Sequence, residues 1–336
     1  MAITIKEIAK LSGVSKSTVS RVINNAESVS DKARSKVQKV IEETGYIPNS
    51  IAKDLKKNST DSIGIIIPRI NTNTISSAVE GISNIMYDNG YSLLLTNTRL
   101  DIKEEIKYLE LLKEKRVSGI LFFATEVTQK HIETLNKINL PIVVLGQDIS
   151  DMVNFPSVIH DDFNSAKDIV EYLVGYGHQR IAYIGVQEKD VAVGQLRKKG
   201  YVEALKNNDL ELKQEYIYTK SDFSISSGYE GMKKIVKNSK ELPTAVFAVT
   251  DSLAIGAIKY LKDSGYKVPE DISVVGIGNS DISSWMTPEL TTVDYDHLKS
   301  GEEASELLLK YISGDEFEDK LIMDYHIVER NSVKKI

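Results

Sequence analysis

Apolar positions recur along this chain in two rhythms, and the change between them divides it. Through residues 1–46 the spacing is helical. Ile5, Ile8 and Ala9 mark the inner face of one short helix, Val19, Val22 and Ile23 that of a second, and Ala33, Val37, Val40 and Ile41 that of a third. From Ser62 onward, short runs that are apolar throughout alternate with helical stretches, as in a parallel sheet covered on both faces. Strands are expected at residues 62–68, 91–95, 119–123 and 141–145, then at 180–185, 244–249 and 272–277. Helices are expected near 163–176, 195–206, 226–237 and 251–264. The tail adds LTTV at 290–293, a helix near 296–312 and LIMDYHIV at 321–328. The pattern is that of two similar α/β halves behind a small helical head.

In the head, Gly13 stands where a tight turn between the first two helices needs positive φ, and Ala9 is small enough for the second helix to cross close above the first. Ser15 is placed to cap the second helix. That leaves Lys16, Ser17, Thr18 and Arg21 on its outer face, where a recognition helix presents side chains to the major groove. Thr4 and Asn24 bound this unit and are taken as DNA contacts with them. The blander reading is an amphipathic helical hairpin with a solvated basic face. Ser30 is expected to cap the third helix, which stops at Gly45. Residues 46–50 then read as a break, and residues 51–56 as a helix too short to be stable alone.

Charge sharpens the division. The chain of 336 residues has a net charge of −6, yet residues 1–60 hold 11 Lys and Arg against 6 Asp and Glu, so the head is near +5 and the remainder near −11. A basic head on an acidic body suits a phosphate-seeking reader joined to a separate sensing domain. There is no cysteine, so disulfides, thiolate metal sites and Cys nucleophiles are excluded; the five His show no ligand spacing, and neither metal nor cofactor is expected. No signal pattern opens the chain and no apolar run reaches spanning length, so a cytoplasmic protein is expected. The phosphate-binding glycine loops and the nucleophile elbow of common enzyme classes are missing, and no enzyme activity is expected.

The runs GVSKSTVSRVINN, VSDKARSKVQKVIEETGYIPN and IAKDL closely resemble the DNA-binding head of the lactose/galactose repressor family of bacterial transcription regulators. The resemblance continues in LVGYGHQRIAYIG, in Arg197, Gly200 and Tyr201 as RxxGY, and in SDFSISSGY, TDSLAIGAIKYL, VPEDISVVG and PELTTV, so it spans nearly the whole chain. It implies a homodimer on a palindromic operator, controlled by a small effector. It also implies a head at 1–46, a hinge helix and linker at 47–60, and a two-lobed body of periplasmic-binding-protein type at 61–336. The chain would cross between lobes three times, giving a first lobe of about 61–161 and 292–320 and a second of about 162–291 and 321–330. By the same match Leu55 enters the minor groove from the hinge helix; the alternative is that Leu55 packs as linker core. A solute receptor for transport shares the body's fold, but the added head argues against it.

Ligands of parallel sheets bind beyond the carboxyl ends of the strands, so the residues that follow the strands are effector candidates. These are Arg69, Gln147, Asp190, Arg197, Asp251 and Asn279, which can fork onto sugar hydroxyls or a phosphate. The family match makes Arg197 the effector-binding arginine and Phe223 the ring that stacks on the effector. The competing readings are a surface cation for Arg197, a core aromatic for Phe223 and a helix cap for Asp251. Gly278-Asn279 replaces the adjacent acidic pair of many members. Together with Arg69 and the segment DVAVGQLR, it looks more like the trehalose-operon repressor branch, whose effector is a phosphorylated disaccharide.

Overall fold

The computed structural model describes residues 3–23, 26, 28–46 and 60–336. The chain divides into two compact units, Met1–Thr60 and Asp61–Ile336. Asn24, Leu55 and the expected hinge helix at 51–56 lie outside the described residues.

The first unit holds α1 (Ile5–Ser12), α2 (Lys16–Ile23) and α3 (Asp31–Thr44). Ile8, Ala9, Val19, Val22 and Val37 form its buried core. The turn between α1 and α2 runs through Gly13 at φ 67°, a left-handed conformation that a Cβ would strain. Ser15 caps α2 by accepting the Thr18 amide at 3.1 Å. Ser30 occupies the cap position of α3 with extended backbone, but its side chain makes no capping bond there.

The second unit contains two six-stranded sheets. The first is built from β1 (Ser62–Ile67), β2 (Ser92–Asn97), β3 (Gly119–Phe123), β4 (Ile142–Leu145), β5 (Ser157–His160) and β11 (Lys320–Met323), in the order β11-β5-β4-β3-β1-β2, all parallel. The second is built from β6 (Ile181–Val186), β7 (Ile217–Ser221), β8 (Ala245–Ala248), β9 (Ser273–Ile277), β10 (Thr291–Asp294) and β12 (His326–Val328), in the order β12-β10-β9-β8-β6-β7. Only β12 runs antiparallel. Ile63, Ile65, Ile66 and Ile67 of β1 are all buried; each contributes about 1.5–3 kcal/mol by leaving water, which explains why the strand reads as one apolar run.

The chain passes between lobes after His160, after Asp294 and after Met323. Two of these points differ from the expected boundaries. The strand at 291–294 pairs with β9 in the second sheet, not the first, and the run 321–328 is not one strand. Its first half completes the first sheet beside β5, and after Asp324-Tyr325 its second half joins the second sheet beside β10. The helix between them, α12 (His297–Ser313), packs on α4 (Asn73–Asp88) of the first lobe. This crossing is so close that a Cβ on Gly301 would lie 2.0 Å from the Ala78 carbonyl oxygen, and one on Gly81 2.1 Å from that of Leu298.

Candidate functional site

On the head, α2 exposes Lys16 and Ser17 in its first turn and Arg21 in its last, with Thr18 partly covered. The Ser15 hydroxyl lies 2.7 Å from that of Ser17 and 2.8 Å from that of Thr18, which fixes the polar edge of this face. Thr4 acts locally as the cap of α1. Its amide and hydroxyl both donate to Glu7 Oε2, at 2.8 and 2.9 Å, and the Glu7 amide returns to Thr4 Oγ1. These bonds, the backbone one first, hold the Glu7 carboxyl below its usual range. An exposed helix face bearing two cations and several hydroxyls suits major-groove readout.

In the body, the strand ends of the two lobes face each other across a cleft with two compartments. The outer one has a volume of about 800 Å³ and the inner one about 190 Å³. Arg69, Asp190 and Phe223 line both, while Arg197 and Asp251 line the inner one. Arg69 extends beyond β1 of the first lobe and places its guanidinium carbon 3.6 Å from the centre of the Phe223 ring, which follows β7 of the second lobe. Burial lowers the Arg69 pKa, and the charges of Asp190 and Asp222 oppose that shift.

The remaining candidates are held more tightly than their sequence positions suggest. Arg197 is not a surface cation: it is buried, its Nε donates to Asp162 Oδ1 at 2.6 Å, and its Nη1 donates to the Val249 carbonyl. Tyr295 donates to the same Asp162 oxygen at 3.2 Å. Asp251 is not the cap of α10 (Asp251–Asp263); Thr250 fills that role. The buried Asp251 carboxylate instead accepts the Ser280 amide at 2.7 Å, the Ser280 hydroxyl at 3.0 Å and the Thr292 hydroxyl, while burial raises its pKa. Asp190, whose pKa burial also raises, accepts the Val193 amide at 2.9 Å at the start of a π-helical turn, Val191–Leu196.

Gln147 and Asn279 are not among the residues lining either compartment. The Gln147 amide nitrogen donates to the Thr125 carbonyl at 2.8 Å. Asn279 is held by Asp294 at 2.8 Å and by Arg330 at 2.6 Å, so its amide is spent inside the second lobe.

The cleft also recruits residues that strand-end reading missed. Asn97 ends β2 and Arg99 follows it, Thr125 follows β3, and Ser221 ends β7. His160 and His297, at two of the crossovers, line the inner compartment. Burial pushes both imidazoles down to about 3; the charge of Arg197 adds to this in both, and His160 adds to it in His297. Among the described residues, Arg69 Nε, Thr72 Oγ1, Ser221 Oγ and His297 Nε2 are buried polar atoms without a hydrogen-bond partner, and all four residues line the cleft.

Among the described residues no group of three or more His, Asp or Glu could hold a metal ion, and no helix is long and apolar enough to cross a membrane.

Comparison with known proteins places both units. The model for bacterial regulatory proteins of the lacI family matches residues 4–49, and that for a periplasmic binding protein-like domain matches residues 170–333. Catabolite control protein A of Priestia megaterium is 33% identical over 335 residues, covering 99% of this chain and 100% of the relative. The HTH-type transcriptional repressor PurR of Histophilus somni is 36% identical over 337 residues, covering 99% of each. Among solved structures, the Lac repressor dimer bound to operator and the anti-inducer ONPF matches with a TM-score of 0.91 at 28% identity, over 99% of this chain and 100% of that one. A three-helix head with an exposed reading face, followed by two parallel-sheet lobes around a polar cleft, is thus shared along the full length, and the chain belongs to the lacI family of bacterial regulatory proteins, which are DNA-binding regulators of transcription.

Proposed function

We propose that this chain represses transcription as a homodimer on a two-fold symmetric operator, and that a small sugar bound between the lobes changes its operator affinity. Lys16, Ser17 and Arg21 read base edges, while Thr4, Ser15, Thr18 and Asn24 assist and Leu55 enters the minor groove. Arg69, Asp190, Arg197, Phe223 and Asp251 surround the sugar, with Gln147 and Asn279 supporting the wall behind it. The observation that carries the reading is the convergence on one cleft of four buried, unpartnered polar atoms beside an aromatic ring. Hydroxyls of a pyranose satisfy such atoms while its apolar face covers Phe223.

The finer form of the proposal is a phosphorylated disaccharide resembling trehalose 6-phosphate, with Arg69 as its anion partner. Calorimetry tests it: the phosphorylated sugar should bind more tightly than free trehalose, and Phe223→Ala should weaken both. Tighter binding of the free sugar would remove the phosphate and leave a free-sugar sensor. On the DNA side, Arg21→Ala should cost about 1–3 kcal/mol on duplexes selected from a random pool and much less on unselected DNA. Equal losses on both would make Arg21 a phosphate contact. The relative named catabolite control protein A favours a second reading, a global carbon regulator; with a corepressor in place of an inducer, the ligand would tighten operator binding instead of weakening it.

A further inference from the structure

The contact between Arg69 and Phe223 joins residues of opposite lobes and borders both compartments of the cleft. The guanidinium carbon lies 3.6 Å from the ring centre, so the group sits over the face that a pyranose would need. Its Nε is buried without a hydrogen-bond partner. The stack is therefore held by the ring and by the charges of Asp190 and Asp222, and it leaves one donor of the guanidinium unsatisfied.

We propose that Arg69 is a charge-selecting gate: at rest it covers Phe223 and closes the inner compartment, and an anionic ligand opens the gate by drawing the guanidinium off the ring. The inference deepens the sugar-sensing reading and rests on it. A neutral sugar must displace the guanidinium and can offer its donors only uncharged hydroxyl oxygens, which pair more weakly than an anion does. A phosphorylated sugar gives the displaced group a bidentate partner, so the donor left over in the stack becomes paired and the ring is freed in the same movement. Specificity for an anion then comes from a penalty on neutral ligands as well as from attraction. Because the two residues belong to different lobes, opening the gate also removes an interlobe contact and loosens the resting closure.

The test places an indole at the ring position. Trp285 is the only tryptophan of the chain, and it is exposed on a five-residue helix, so Trp285→Phe removes the background signal. Phe223→Trp in that background reports the gate through acrylamide quenching of the full-length protein. Quenching should rise when Arg69→Ala is added, and should rise on adding inorganic phosphate only while Arg69 is present. Arg69→Lys keeps the charge without the planar stack and should start from the higher quenching.

In the chain with Phe223 intact, Arg69→Ala should lower affinity for trehalose 6-phosphate. It should raise affinity for free trehalose by about two- to thirtyfold, the value of a cation–π contact released from competition. Equal quenching with and without Arg69, a phosphate response that persists in Arg69→Ala, or loss of affinity for both sugars alike would overturn the gate. If neither sugar binds the unaltered chain, the sugar reading fails, and the phosphate response of the indole still decides the gate.

Discussion

In the second lobe the polar groups at the strand ends hold one another. Arg197 is locked to Asp162 and the Val249 carbonyl, Asp251 to Ser280 and Thr292, and Asn279 to Arg330 and Asp294. In the first lobe Arg69 and Thr72 face the same cleft with polar atoms that have no partner, and Arg69 is steadied by a ring of the opposite lobe. The strand order is equivalent in both lobes, with only the last strand of the second reversed, so most of the difference lies in the side chains. Ser221, on the edge strand of the second lobe, is an exception to its side. One wall is thus bonded within itself and the other keeps open polar groups, which on the sugar-sensing reading divides rigidity from response within a single site.

The largest expected break in this contrast comes from Asp162→Ala. It leaves the Arg197 charge buried and unpaired, and should cost about 3–5 kcal/mol in urea unfolding. Arg69→Ala removes an already unsatisfied donor together with the contact to Phe223, and should cost no more than about 2 kcal/mol. Similar losses at the two sites would erase the distinction between the walls.

The crossover histidines give the next effect, through pH. His160 and His297 are held neutral with folded values near 3, below the ordinary value of about 6.5 in the unfolded chain. Below pH 6.5 the unfolded state therefore binds more protons. The stability contributed by each neutral imidazole is fully present above that pH and is lost as pH falls toward 3. Between pH 7 and pH 5 the loss should be about 2 kcal/mol for each histidine. Asp190 and Asp251, whose values are raised, act in the opposite sense above the carboxylate range, so the readout is a difference. His297→Phe should flatten the fall measured by thermal melting at the two pH values, and an unchanged slope would show that the imidazole is not buried as described.

The smallest contrast compares two threonines. Thr292→Val removes a donor to the buried Asp251 carboxylate and should cost about 1–2 kcal/mol, whereas Thr72→Val removes a hydroxyl with no partner and should be close to neutral. Equal costs would place a partner on Thr72 that its surroundings do not supply.

Much of this arrangement was legible in the sequence where burial is one-sided or complete. The reading pair in the head, Gly13 in its turn and the all-apolar strands such as residues 62–67 and 119–123 stood out because every position obeys one period. The strands at 157–160 and 217–221 did not stand out. The first is only four residues long and ends in His160. The second is a half-buried edge strand, IYTKS, whose alternation is blurred by polar residues. Missing them hid His160 and the role of Ser221, although Phe223 was found through the family match. The tail failed for another reason: LIMDYHIV has one apolar pattern but serves two sheets, and only the pairing of its halves with β5 and β10 shows where it divides. Which strand-end groups are already spent, as in Arg197 and Asn279, depends on partners up to 52 residues away in the chain and cannot be read from spacing.

We propose that occupancy of the cleft controls DNA reading. The most direct test is one anisotropy titration of a selected operator duplex with the full-length chain, run with and without saturating trehalose 6-phosphate at fixed salt. Operator affinity should shift by about 5- to 150-fold, the usual range of coupling between sites, and Phe223→Ala should remove the shift while leaving the sugar-free affinity intact. Identical operator affinity in both titrations, with calorimetry showing the sugar bound, would contradict it.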